Sequence, residues 1–134
     1  MSWLLDTNVW IHLWKDDSPA IRSRIAATDE DDLRVCSIVK AELLYGALRY
    51  LVPARRRTLI EATLDPYDSL PFDDAAAEFY ARIRFDLERQ GQIIGPNDLL
   101  IAAICLAHDC TLVTSNTNEF SRVPGLKCED WSQP

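Results

Sequence analysis

Short apolar runs alternate with longer amphipathic stretches along this chain. The first run, residues 3–5, has the length and composition of a buried strand. Four further runs are predicted strands, although the second of the four could be an extended linker instead: residues 33–36, 67–70, 110–114 and 126–129. Helical periodicity and cap residues predict the helices between them: residues 9–15, 19–27, 38–50, 53–64, 73–90 and 97–108.

Strands and helices that alternate in this way are typical of a central, mostly parallel sheet with helices on both faces. The predicted architecture is therefore a three-layer α/β fold. A length of 134 residues favours a single domain over residues 1–134 with one hydrophobic core. Residue type alone assigns an N-cap to three of the helices: Ser18, Ser37 and Asn97.

The last long helix is apolar on every side between Leu99 and Ala107, so we predict that it is buried almost all round. Asp98 precedes this stretch in the first helical turn. One interpretation is a favourable interaction with the helix dipole. Because a helix this apolar does not lie on the surface, the other interpretation is that Asp98 lies on the floor of a cleft.

Apolar residues make up 48% of the chain and glycine occurs four times, which favours an ordered globular protein. No run approaches the roughly 18 apolar residues of a membrane span, and the first residues lack the pattern of a signal peptide. We therefore expect a cytoplasmic protein without a membrane partner. The formal charge of −7 argues against nucleic-acid binding, yet the arginines are clustered and could bind phosphates locally: Arg49, Arg55, Arg56 and Arg57 in one region, and Arg82, Arg84 and Arg89 in another.

The four cysteines lie apart in apolar stretches and form no Cys-x-x-Cys pair. They are predicted to be buried free thiols rather than zinc ligands. His12 and His108 have no second candidate ligand near them in the sequence, so neither is assigned a catalytic role.

Acidic residues follow predicted strands or lie on apolar helix faces at several places. Asp6 directly follows the first strand, where it either caps the next helix or lies in the crevice at the carboxyl edge of the sheet. Glu42 shares a helix face with mainly apolar or small residues, so it pairs with Arg49, lies at a half-exposed rim, or binds a metal. Asn116 and Glu119 follow the fourth strand.

If Asp6, Glu42 and Asp98 converge, their like charges raise their pKa values and cost stability unless a cation compensates. Ligands that are all oxygen, without paired His or Cys, select Mg²⁺ or Mn²⁺ over zinc. We expect the three carboxylates to lie within reach of one cation, and we expect Asn116 and Glu119 to line the same pocket.

Four segments stand out by their order and spacing: LLDTN at residues 4–8, SIVKAELLYGA at 37–47, GPNDLLIAA at 95–103 and LVTSNTNEF at 112–120. Together they resemble the PIN-domain nucleases and, within these, the VapC-type toxins of toxin–antitoxin systems. A fifth segment, VPGLKCEDW at 123–131, is similar to the tail of VapC toxins that cut initiator tRNA. The resemblance covers essentially the whole chain.

This resemblance implies catalytic and metal-binding roles for Asp6, Glu42 and Asp98. Glu42 would either bind the metal directly or orient the attacking water. Many members have an aspartate where this chain has Asn116, so Asn116 and Glu119 are both candidates for the fourth ligand, and Glu119 for a catalytic acid. The ion would be Mg²⁺, with Mn²⁺ as an alternative. Three hydroxyl groups are implied to orient carboxylates or water: Thr7, Ser37 and Thr114.

The reaction that the resemblance implies is hydrolysis of an RNA phosphodiester in a tRNA anticodon stem-loop. It would leave a 5′-phosphate and a 3′-hydroxyl and would need no histidine base. The resemblance also implies a homodimer and inhibition by a VapB antitoxin. An apolar strip on the third and fourth helices would suit antitoxin docking, and plain core packing explains the same leucines equally well: Leu44, Leu48, Leu51 and Leu59.

Two other hypotheses are compatible with parts of the sequence. A haloacid-dehalogenase-type phosphatase would use Asp6 as its nucleophile, but Asn8 replaces the second acid and no suitable lysine follows the later strand. A non-catalytic binding module of the PIN fold would explain Asn116 as a lost ligand.

Overall fold

A parallel sheet forms the centre of the protein. The computed structural model describes residues 1–133, and within them the sheet has five strands. These are β1 (Trp3–Leu5), β2 (Leu33–Cys36), β3 (Asp68–Leu70), β4 (Thr111–Val113) and β5 (Cys128–Glu129). All neighbours pair in parallel in the order β3-β2-β1-β4-β5, so β1 is the central strand. The predicted α/β fold with a mostly parallel sheet is confirmed.

The helices connect consecutive strands or follow them. Seven α-helices lie in the described residues: α1 (Thr7–Lys15), α2 (Pro19–Ala27), α3 (Ser37–Ala47), α4 (Pro53–Leu64), α5 (Asp74–Arg89), α6 (Pro96–Ala107) and α7 (Thr117–Phe120). The acidic stretch before β2 forms a short 3₁₀ turn, Glu30–Asp32. α5 packs against α6, α3 packs against α4, and both α1 and α6 contact α3.

Burial follows the apolar pattern of the sequence. Leu4 and Leu5 of β1 and Leu112 and Val113 of β4 are fully buried, as expected for strands that pair on both edges within a parallel sheet. In α6, five consecutive residues are also fully buried, Ile101 to Cys105. The prediction of a helix buried almost all round is confirmed.

Two predicted caps are wrong. β2 leads directly into α3, so the extended backbone ends at Cys36 and Ser37 is already the first helical residue. In α6 the N-cap is Gly95, because the fixed φ of Pro96 fits the first helical position and places Asn97 inside the helix. The Ser18 cap is confirmed, since its Oγ accepts a hydrogen bond from the Ile21 N–H at 3.3 Å.

The third helix is also shorter than predicted, because it ends at Ala47 and not near residue 50. Across residues 1–133, no helix combines the length and the apolar character that crossing a membrane requires.

Candidate active site

Asp6 lies at the carboxyl end of the central strand and is buried. Its Oδ1 accepts a hydrogen bond from the Thr7 N–H at 2.8 Å, so it does cap α1. Its Oδ2 accepts from the Thr114 hydroxyl at 2.9 Å, beyond the end of the neighbouring β4. Burial raises the pKa of Asp6, and the charges of Glu42 and Glu119 raise it further. Asp6 therefore both caps α1 and lies in the crevice at the carboxyl edge of the sheet.

Glu42 lies half-buried on α3 and faces the start of α1. Its Oε1 accepts a hydrogen bond from the Thr7 hydroxyl at 2.7 Å. Its Oε2 lies 3.5 Å from the Asn97 amide nitrogen, which donates from the first turn of α6. Among residues 1–133, Arg49 forms no ion pair with Glu42. Two neutral donors, rather than an arginine, hold this carboxylate in place.

Asp98 projects from the first turn of α6 and has an unusual protonation equilibrium. Burial raises its pKa to about 7, and a hydrogen bond with the Glu119 carboxyl group adds to this effect. The charges of Glu119, Asp6 and Glu42 act in the same direction. These acids thus share one electrostatic environment although they are distant in sequence.

Glu119 is held by donors on both carboxylate oxygens. The Gly95 N–H donates to its Oε1 at 2.7 Å, and the Asn116 side-chain amide donates to its Oε2 at 2.6 Å. The Gly95 hydrogen bond lowers the pKa of Glu119, and the charge of Arg122 contributes in the same direction. Glu119 therefore remains ionised while its neighbour Asp98 retains a proton to higher pH.

Two of the three predicted supporting hydroxyls touch the acids. Thr7 donates to Glu42, and Thr114 donates to Asp6 while its oxygen accepts from the Asn116 N–H at 3.0 Å. Ser37 is exposed in the first turn of α3, and within residues 1–133 its hydroxyl donates to none of the acids. The helix begins one residue earlier than predicted, which explains the different position of this side chain.

We call the following five side chains the acidic cluster: Asp6, Glu42, Asp98, Asn116 and Glu119. The expectation that the carboxylates already lie within reach of one cation is not met. Within the described residues, no group of three or more His, Cys, Asp and Glu side chains is arranged so that it could hold a metal ion. Asp98 instead shares a hydrogen bond with Glu119.

The chemistry of the acidic cluster nevertheless fits a hard divalent cation. Its candidate ligands are all oxygen atoms, and the two histidines pair elsewhere, His12 with Asp17 at 2.8 Å and His108 with Asp73 at 3.5 Å. All four cysteines are free thiols; three are buried, as predicted, and Cys128 is half-buried. Oxygen ligands of this kind favour Mg²⁺ or Mn²⁺ over zinc.

The sequence did not point to three of the contacts that organise this region. Asn97 was assigned to a cap, so its hydrogen bond to Glu42 was missed. The Gly95 N–H becomes a donor because the chain turns into α6 beside Glu119. Arg122, which donates to the Ile93 carbonyl oxygen at 3.2 Å, belongs to no motif. A cation close to a cluster of acids is apparent once the fold is known.

Comparison with known proteins gives a consistent result. A family model described as PIN domain matches residues 3–126. A tRNA(fMet)-specific endonuclease VapC from Shigella flexneri is 37% identical over 98% of this chain and 99% of that protein. The protein of the same name from Salmonella typhimurium is 35% identical over 98% of each chain. In the crystal structure of VapBC2 from Rickettsia felis bound to a promoter DNA fragment, one chain matches with a TM-score of 0.91 and 31% identity over 98% of this chain and 99% of that one.

Proposed function

This chain belongs to the PIN-domain family as a VapC-type ribonuclease, and from this premise we propose that it is the metal-dependent toxin of a VapBC module, cutting RNA in the cytoplasm. The observation that carries the proposal is the set of acids at the carboxyl edge of the sheet, in which Asp6 and Asp98 both have raised pKa values. Such perturbed groups are typical of functional sites.

For the substrate, we propose a tRNA that is cut in its anticodon stem-loop. The two relatives described above are named as endonucleases specific for tRNA(fMet), and they align with nearly all of this chain. Loops present bases that are not paired, which is the usual target of sequence-specific RNA recognition. The negative net charge is compatible with this substrate if cations neutralise the cleft and arginines bind phosphates around it.

Asp6, Glu42 and Asp98, with Asn116 or Glu119, would hold the ion, Mg²⁺ or Mn²⁺. When bound, it would activate a water molecule and neutralise charge on the leaving oxygen. The Thr7 N–H and the Thr114 hydroxyl donate to the two oxygens of Asp6, and the Thr7 hydroxyl and Asn97 donate to the two oxygens of Glu42, so both carboxylates have a defined orientation toward an ion. Glu42 is also available to orient the water, because both of its contacts are to neutral donors.

For the partners, we propose a VapB-type antitoxin and a second copy of this chain. Solved VapBC complexes are among the close structural matches. Exposed apolar side chains at the end of α3 and in the following loop support a docking surface for the antitoxin: Leu48 is 71% exposed and Leu51 fully exposed. Leu59 is 38% exposed, while Leu44 is half-buried and packs against the core.

Purified protein incubated with tRNA and Mg²⁺ tests the proposal. We expect new RNA ends with a 5′-phosphate, and we expect EDTA or the Asp6→Asn substitution to abolish them. Asp109→Asn is the matched control: the same chemical change at an exposed residue whose left-handed φ of 52° asparagine tolerates.

Cleavage that persists in Asp6→Asn would place the chemistry elsewhere. A protein that binds RNA and Mg²⁺ without cutting would support the non-catalytic module. The phosphatase hypothesis is wrong, because the PIN-domain match spans residues 3–126.

A further inference from the structure

The first turn of α6 separates two surfaces. Asp98 of this turn belongs to the acidic cluster, as described above. Pro96 and Leu99 of the same turn contribute instead to a groove of about 560 Å³ between α5 and the segment that precedes α6. Eight residues line this groove, among them Tyr80, Arg84, Glu88, Ile93, Ile94 and Leu99.

The groove combines an apolar floor with a polar rim. Ile94 and Leu99 are buried beneath it, whereas Ile93 is 48% exposed at its edge. On the opposite side, Arg84 donates from Nη1 to the Tyr80 hydroxyl oxygen at 2.9 Å. Arg84 also donates from Nε to Glu88 at 2.6 Å, which orients its guanidinium group. A flat ring with polar atoms along one edge fits such a surface, and a nucleobase has this chemistry.

The groove borders the acidic cluster. Gly95 lies between the groove residues Ile94 and Pro96, and its N–H donates to Glu119 of the acidic cluster at 2.7 Å, so the two surfaces meet at residues 94–96. Arg122 stands at the junction: it is exposed, donates to the Ile93 carbonyl oxygen at 3.2 Å, and lies close enough to Glu119 to affect its charge. A phosphate at this junction would meet a cation.

We propose that the groove between α5 and α6 binds the base of a nucleotide next to the cleaved phosphodiester, with Arg122 contacting the phosphate between them. This inference rests on the proposed ribonuclease function and extends it to a recognition site. The apolar floor receives one face of the base. Arg84 and Glu88 at the rim offer a donor and an acceptor for its polar edge.

An RNA strand fits this surface better than a protein segment does. Arg84 lines the groove, and Arg122 donates to the carbonyl oxygen of the groove residue Ile93 and lies close to Glu119, so the side of the groove that borders the acidic cluster carries a cation that would attract a phosphate. A second copy of this chain would instead be expected to cover the more exposed apolar residues elsewhere on α5, such as Phe85, which is 61% exposed. Dimerisation through the groove would therefore contradict the proposal.

The test uses stem-loop RNAs that span the mapped cleavage site. In each RNA, one nucleotide flanking the cleaved bond is replaced by an abasic nucleotide. For the wild-type protein, we expect one replacement to lower kcat/KM by about tenfold or more, as base stacking commonly contributes. In Ile93→Glu and Arg84→Gln, intact RNA should be cut less efficiently, mainly through KM, and the same abasic replacement should cost less than about threefold.

Arg57→Gln is the matched control. Arg57 and Glu61 form an exposed ion pair on α4 with the same i,i+4 spacing and the same 2.6 Å distance as Arg84 and Glu88. This variant should respond to abasic RNA as the wild type does. Its net charge changes by the same amount, so a general loss of RNA attraction would appear in both arginine variants.

Each outcome decides a different point. A wild-type protein that cuts no RNA overturns the proposed function and the groove with it. RNA cleavage with equal abasic effects in the wild type and in both groove variants overturns the groove alone. Light scattering measures the mass of Ile93→Glu and Arg84→Gln. If both variants lose the dimer to the same extent as they lose cleavage, the groove binds a second copy of the chain and not a base. Arg84→Gln keeps the test decisive if Ile93→Glu folds poorly.

Discussion

The carboxylates of the acidic cluster and the carboxylate of Glu129 on β5 have opposite electrostatics. In the acidic cluster, Asp6 and Asp98 have raised pKa values because they are buried close to other acids. On β5, Glu129 accepts hydrogen bonds from the indole N–H groups of Trp3 and Trp131 and from Arg24, at 3.3, 3.0 and 3.2 Å. These donors, with the Trp131 hydrogen bond contributing most, lower the pKa of Glu129.

The difference shows that position on the sheet does not decide what a carboxylate does. Glu129 has a full set of donors, including the guanidinium group of Arg24, which also stacks over the Trp131 ring at 4.9 Å. Glu129 therefore stabilises the fold without needing a bound cation. Asp98 faces other acids instead, so its charge is costly to the free protein and available to a cation. The region with unbalanced charge is therefore the one that we assign to function.

Between Asp98 and Glu129, the larger effect is expected for Asp98→Asn. Cleavage should fall by at least about 100-fold, because the substitution removes a charge that we assign to metal binding. The melting temperature should rise at the same time, by an amount equivalent to about 1 kcal/mol, since a costly charge is lost. Cleavage assays and thermal melting at pH 8 without metal measure the two effects.

Asp74→Asn provides the control for Asp98→Asn, because Asp74 lies in the first turn of α5 and is exposed. It should leave cleavage unchanged and lower stability slightly through the helix dipole. A variant Asp98→Asn that melts below the wild type, as Asp74→Asn does, would show that Asp98 is an ordinary stabilising residue.

A second effect, about tenfold per pH unit, is expected in metal binding. Since the pKa of Asp98 is raised to about 7, a proton competes with the ion below this pH. Affinity for Mn²⁺ should increase by up to about tenfold per pH unit toward pH 7 and level off above it, with proton release detected by calorimetry in two buffers. Affinity that is constant from pH 5.5 to 7.5 would contradict the assignment.

The same pKa predicts the pH dependence of stability without metal. A carboxyl group whose pKa is raised on folding contributes stability that is fully present below its unfolded pKa, near pH 4. This contribution is lost as the pH rises through about 7. The free energy of unfolding in EDTA should therefore decrease between pH 5 and pH 8, and added Mn²⁺ should reverse the trend.

The smallest effect is expected for Glu129→Gln. Cleavage should stay within about twofold, and the free energy of unfolding should fall by about 1 kcal/mol, because an exposed arginine pair and two indole hydrogen bonds are weakened. Urea titration followed by tryptophan fluorescence measures this change.

At Glu129, the free energy of unfolding depends on pH with the opposite sign to that at Asp98. Glu129 has a lowered pKa, so its contribution is present above about pH 4 and disappears as the pH falls through its folded value. The wild type and Glu129→Gln should thus converge in stability at low pH. A loss of cleavage in Glu129→Gln comparable to that in Asp98→Asn would remove the distinction between the two regions.

Sequence patterns predicted the fold and the positions of Asp6 and Asp98 because these depend on local order. A strand followed by a capping residue places Asp6 at the carboxyl edge of a parallel sheet. The apolar sequence of α6 buries its body and leaves Asp98 at its open end. Neither step requires knowledge of which strands are neighbours.

The partners of the acids could not be predicted in the same way. Glu119 is held by Gly95, 24 residues away in sequence, and Glu42 by Thr7, 35 residues away. These pairs depend on how four helices meet, which periodicity does not specify. Ser37 and Asn97 show that helix starts are also predicted only approximately, since the N-cap lies one residue earlier than predicted in α3 and two residues earlier in α6. The position of the Arg122 side chain close to the acidic cluster is likewise known only from the fold.

The central position of β1 has a consequence for biosynthesis. Asp6 is translated early, but the hydroxyl group that fixes it belongs to Thr114, 108 residues later, and β4 must pair with β1 before the two can meet. A nascent chain that has not yet emerged beyond β4 lacks this half of the sheet and has no assembled acidic cluster. The proposed cleavage activity therefore cannot begin on the ribosome before β4 has been made and has paired with β1.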